Sequence, residues 1–124
     1  MNLKRIVLWA GLAYLATFVA GFLPGMIRGV YAGGGGTVPE WTFILQALLV
    51  PAAMLIVFFR FARVQRERTV AHATAVWALL VVISVTNLVL GITLSAWLIS
   101  IVFSGVVAVV GVALGLAVNK MQEE

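Results

Sequence analysis

Cysteine is missing from this 124-residue chain. Disulfides, thiolate metal sites and thiol redox chemistry are thereby excluded. Aspartate is missing too. The acidic side chains are Glu40, Glu67, Glu123 and Glu124, and none falls inside a long apolar run. Ionisable groups within a membrane are the usual mark of proton relays and ion pathways. An exporter coupled by a buried carboxylate, or paired-carboxylate catalysis, has no residues to act through. The one histidine, His72, cannot build a bis-histidine haem site or a multi-histidine metal site within one subunit. It lies close to Arg68 and reads as an interfacial side chain near lipid headgroups. The expectation is therefore no catalytic residue, no metal ligand and no cofactor.

Charge of either sign is also scarce. Charged residues make up 10% of the chain, whereas soluble domains carry roughly a quarter. Hydrophobic residues make up 64%. So few charges cannot cover a water-facing surface, and lipid is the solvent that suits most of these side chains. Four apolar runs stand out, about Ile6–Leu23, Trp41–Phe59, Val70–Gly91 and Ala96–Val118. A helix of about 20 apolar residues crosses the ~30 Å hydrocarbon layer. The runs are continuous and lack the alternation of a transmembrane barrel strand. The expected fold is an all-α membrane protein, a single domain of four transmembrane helices in an antiparallel bundle. The first run follows Lys4 and Arg5 as a secretory signal would, but it is long and leads into Phe22-Leu23-Pro24-Gly25 with no small-x-small cleavage pattern. It is expected to be a retained helix.

Basic residues orient the bundle. Lys4 and Arg5 precede the first run, Arg60, Arg63, Arg66 and Arg68 lie between the second and third, and Lys120 follows the fourth. All seven fall on one side, and only Arg28 falls on the other. By the positive-inside rule that side is cytoplasmic, which places both termini inside. The expected location is a cytoplasmic or plasma membrane. The expected partners are membrane lipids, with anionic headgroups beside the cytoplasmic arginines, and either further copies of the chain or another membrane protein. A net charge of +4 arranged in this way gives no reason to expect nucleic acid.

The glycine run in Tyr31-Ala32-Gly33-Gly34-Gly35-Gly36 raises the question of a phosphate loop. Such loops lie between a strand and a helix and are followed by Lys and Ser or Thr. Neither feature is present, so the run reads as a flexible link. The segment Met26–Tyr31 is expected to rest on the outer membrane surface with Arg28. Thr37-Val38-Pro39-Glu40 has the spacing of a capping box, which would start the second helix. No glycine or proline interrupts Arg60–Arg68. The second helix is therefore expected to run past the membrane, carrying Arg60, Arg63 and Arg66. The third and fourth helices should form a tight hairpin around Gly91–Ser95.

Four polar residues lie at similar depth, one per helix: Thr17, Gln46, Asn87 and Ser100. At 1.5 Å per residue each is ~6–9 Å below the outer surface. They read either as a pocket or as interhelical hydrogen bonds that fix register, with Gln46 and Asn87 facing each other. Pro51 interrupts the second span and frees the carbonyl of Ala47, close to this layer. Gly105, Gly111 and Gly115 read as helix-packing positions, within the chain or against another subunit. The function these features favour is a small non-enzymatic membrane protein acting through helix–helix association, as an accessory or structural subunit of a complex. The alternative is a small transporter or channel formed by an oligomer around the polar layer.

The orientation has a direct check, since any introduced cysteine is unique. Arg63→Cys should resist an impermeant thiol reagent in intact cells and react after permeabilisation. Labelling in intact cells would reverse the topology.

Overall fold

The computed structural model describes residues 2–124, which form four α-helices and, among the described residues, no strand. Helix α1 spans Leu3–Gly33, α2 Trp41–Val64, α3 Thr69–Val89 and α4 Leu94–Glu123. All four are long and apolar enough to cross a membrane. At most 22% of each helix's most apolar window is buried within the chain. Large apolar side chains such as Leu3, Leu48 and Val89 stand open. Water would not tolerate apolar surface on that scale, so the pattern is that of a multi-pass membrane protein.

The helix ends correct several expectations. Asn2 caps α1 by accepting from the Arg5 amide. The helix does not stop at Leu23. It passes through Pro24 and runs to Gly33. Proline costs a helix one donor and a clash with the preceding turn, but the residues beyond it continue the helix. What ends α1 is the glycine run. The Gly36 amide donates to the Tyr31 carbonyl, the Gly34 amide donates to Val30, and Gly35 takes φ +71°. This is a Schellman stop, in which the left-handed position suits glycine. Arg28 therefore lies on a helix and does not rest on the surface as part of an irregular segment.

The capping box does not form. Glu40 has a helical backbone and makes no side-chain cap bond. The Thr42 hydroxyl and amide both donate to the Pro39 carbonyl instead, which closes the first turn from within. At its other end α2 carries Arg60 and Arg63 but stops at Val64, short of Arg66. The Gln65 amide makes the last helical bond, to Phe61. Arg68 then takes a left-handed backbone, φ 48°, and α3 begins. The α3–α4 turn is short, as expected. Gly91 has φ +100°, the Ile92 amide donates to the Asn87 carbonyl, and Thr93 caps α4 by accepting from Ala96.

The helices form a four-helix bundle in which α2 packs extensively on α1 and α4, and α3 packs on α1 and α4. The backbones of α1 and α4 do not meet, and α2 and α3 touch only slightly. These are the two diagonals. The core lies at one end. Ile6, Ala10, Phe58, Phe61, Ala62, Ala73, Val76, Ala108 and Val112 make one buried cluster, and all but Ala108, at the middle of α4, lie in the halves of their helices nearest the basic residues. Polar groups tie the same end together. The Arg5 guanidinium donates to Gln65 Oε1 at 2.7 Å, and the Asn119 amide donates to the Ala62 carbonyl at 3.0 Å. His72 is buried here against the other helices, in the first turn of α3. Its Nδ1 lies 3.0 Å from the Arg68 carbonyl and its Nε2 accepts from the Asn2 amide at 3.3 Å. Those partners assign the ring proton to Nδ1.

Gly111 and Gly115 allow α4 to approach α2. A Cβ on Gly115 would lie 2.6 Å from Ala62 Cβ and 2.7 Å from the Phe59 carbonyl oxygen. On Gly111 it would lie 2.9 Å from the Leu55 carbonyl oxygen. These glycines therefore pack within the chain. Gly115→Ala should lower thermal stability in detergent by about 1–3 kcal/mol, the usual cost of overpacking. Gly11→Ala, where a Cβ meets nothing within 4 Å, should be neutral or slightly stabilising. Equal melting of the two variants would show that the α2–α4 contact does not hold the bundle.

Candidate functional site

Away from the basic end the bundle parts into two hairpins. On one side α1 and α2 stay together through buried Pro24 and Thr42 and through Arg28, which donates to Gln46 Oε1. On the other side α3 and α4 are joined by two tryptophans. Trp77 Nε1–H donates to Ser104 Oγ at 3.1 Å, and Trp97 Nε1–H donates to Ser84 Oγ at 2.9 Å. An indole N–H within apolar surroundings needs an acceptor, and each helix supplies one to the other. Between the hairpins lies a cavity of about 290 Å³ to which all four helices contribute.

Thr17, Asn87 and Ser100 line this cavity together, with Ser84 and Ser104 beside them. Gln46 does not join them. Its amide turns to α1, where the continued helix brings Arg28 alongside, and Asn87 lies across the diagonal on α3, which α2 scarcely touches. The expected Gln46–Asn87 pair is therefore absent. Arg28 also stands 4.7 Å from the centre of the Phe43 ring, a cation–π distance.

The polar groups of the cavity are differently occupied. Thr17 donates back to carbonyls of its own helix at Ala13 and Tyr14, and Ser100 donates to Trp97. Ser84 and Ser104 donate to Val81 and Ile101 while accepting from the tryptophans. Thr17 and Ser100 thus retain free lone pairs. Asn87 retains a whole amide. The rest of the wall is apolar, including Val50, Met54, Leu80, Val81 and Val107, and Pro51 lies within it. No carboxylate, ammonium, guanidinium or imidazole lines it. Such a surface accepts a neutral molecule that is partly apolar and carries one or two hydrogen-bond donors.

Of the other residues singled out by sequence, Gly111 and Gly115 face α2, and Gly105 lies 3.4 Å, at its would-be Cβ, from the Trp77 ring. The seven cations other than Arg28 gather at the packed end. Among the described residues, no three His, Cys, Asp or Glu side chains gather as a metal site. Sequence reasoning missed the tryptophan–serine pairs, although a signal exists. Trp77 precedes Ser84 by seven residues, and Trp97 precedes Ser104 by the same seven. Two helices running in opposite directions then match each Trp to the other's Ser.

No protein-family model matches the chain, and no curated protein or solved structure matches it either. The fold and the cavity alone define its class: a small bundle of four apolar, membrane-length helices, packed at its basic end and open between hairpins at the other.

The Trp97–Ser84 bond can be measured by a double-mutant cycle. Trp97→Phe and Ser84→Ala should each destabilise, and together cost less than their sum by about 0.5–1.5 kcal/mol, the range for an interhelical bond in lipid. Strict additivity in thermal melts would mean that the bond contributes nothing.

Proposed function

We propose that this chain is a small non-enzymatic integral membrane protein that holds a neutral, hydrogen-bond-donating solute between its two hairpins. Its basic end faces the cytoplasm, and the cavity opens toward the opposite leaflet. The observation that carries this reading is the meeting of Thr17, Asn87 and Ser100 on one cavity, with an Asn87 amide that no neighbour uses. Asn87 is half-buried on the cavity wall, so its amide is open to an occupant. The packed cluster at the basic end fits a binding site closed on one side better than a continuous pore. Movement of solute across the membrane would need that end to open.

The other reading, an accessory subunit working through helix–helix association, has less to rest on. Its main motif, Gly111-x-x-x-Gly115, is occupied by α2 of the same chain. Association would need another face.

Phenol serves as a neutral probe of suitable size, with benzoate as its charged counterpart. A ligand that binds only the folded state raises its stability with concentration. Phenol should raise the melting temperature of the detergent-solubilised protein, and benzoate should not. Asn87→Leu should remove the phenol effect while the unliganded melt moves by no more than about 1 kcal/mol, since no hydrogen bond is broken. An equal phenol effect in wild type and Asn87→Leu would sink the proposal.

A further inference from the structure

A second concavity runs along the outer face of the α3–α4 hairpin. Its walls are α3 from Val70 to Trp77 and α4 from Gly105 to Leu116, and its volume is about 470 Å³. Gly105, Ala73 and Ala113 give it depth, and its only polar wall residue other than Trp77 is Thr74. The Thr74 hydroxyl is already bonded to the Val70 carbonyl. The groove is therefore apolar along its length. On α4 that length is twelve residues, ~16 Å from first to last at 1.5 Å per residue, close to half of the ~30 Å hydrocarbon layer. It starts at the basic end, so it lies within one leaflet.

The charges beyond the groove follow an order. Lys120 is four residues past Leu116 and continues the same helical stripe. Arg68 lies two residues before Val70, at the start of the other wall. Glu123 and Glu124 come one turn further out again, and all four of these side chains are exposed. Read outward from the bilayer, the sequence is apolar groove, cations, carboxylates. The lysine precedes the glutamates, the less favourable order for a pair within one helix. Arg68 also occupies a left-handed backbone position, φ 48°, where glycine would be less strained.

The geometry points to a binding site for one phospholipid of the ethanolamine type. An acyl chain lies in the groove, the phosphate meets Lys120 and Arg68, and the ammonium group reaches Glu123 and Glu124. The tail–phosphate–ammonium order of the lipid matches the order of the protein surface. An anionic glycerol headgroup would satisfy the cations and leave the glutamates facing a negative lipid. This site rests on the chain spanning the membrane with its basic end at headgroup level. It is independent of the solute cavity, which lies between the hairpins.

The test is native mass spectrometry of the full chain released from micelles containing equal amounts of phosphatidylethanolamine, phosphatidylglycerol and phosphatidylcholine. One lipid should stay bound, with phosphatidylethanolamine favoured by about threefold, the scale of an exposed ion pair. Glu123→Gln with Glu124→Gln should erase the preference over phosphatidylglycerol. Arg68→Gly should reduce retention of every phospholipid while leaving the melting temperature unchanged or higher, since it relieves the backbone. Ala113→Phe should fill the groove and displace the lipid, and the phenol response should survive in this variant. Equal retention of the three lipids, preference for phosphatidylglycerol, or a lipid-free dimer formed through this face and broken by Ala113→Phe would each overturn the assignment.

Discussion

The close approach of α4 to α2 is the contact on which the rest of the bundle depends. Lipid gives apolar helices no hydrophobic reason to associate, because tails are as apolar as leucine. What remains is van der Waals packing, and that needs backbones near one another. Gly111 and Gly115 supply it by presenting no side chain to Leu55, Phe59 and Ala62. Ala62 is wholly buried, and its carbonyl accepts from Asn119, so a polar bond locks the register that the glycines permit. With α2 and α4 fixed, α1 and α3 fill the two remaining sides and complete the buried cluster.

That contact lies at one end, and this has a consequence at the other. Small residues face each other where the bundle is packed: Ala10, Ala13, Ala62, Ala73, Ala108 and the two glycines. Toward the opposite end the facing residues are larger or polar, and the hairpins separate. Each hairpin nevertheless remains intact through its own bonds, Arg28 to Gln46 in one and the two tryptophan–serine pairs in the other. The cavity is thus the space between two pairs of helices, each joined by its own side-chain bonds.

Charge and polarity are divided along the same axis. At the packed end Arg5 bonds to Gln65, His72 to Asn2 and Arg68, and Asn119 to Ala62, while at the other end Arg28 bonds to Gln46 outside the cavity. The cavity contains only hydroxyls, one amide and apolar walls. Hydroxyls that donate to their own helix impose little on a neighbouring helix, so they line a space without closing it. A neutral occupant is the one such walls can receive without leaving a charge buried and unpaired.

How much of this could be read from residues in a line differs by level. Helix number, approximate position and the gathering of basic residues followed from hydropathy and charge, because a membrane span must satisfy its backbone internally and be apolar over a set length. The ends were less legible. Pro24 looked like a stop, yet the helix ran to the glycines, since proline's local cost was outweighed by the apolar residues that follow. That Thr17, Asn87 and Ser100 share a level was legible, although Thr17 was counted from Leu23, which is not the end of its helix; their direction was not. A depth comes from counting residues from a helix end, whereas a partner depends on helix rotation and on which helices are neighbours. That is why Thr17, Asn87 and Ser100 meet while Gln46 turns to Arg28. The Gly111–Gly115 pair announced a close contact by its spacing alone. Only the tertiary arrangement, with α2 and α4 adjacent and α1 and α4 apart, decided that the contact lies inside the chain and that an open space faces it at the other end.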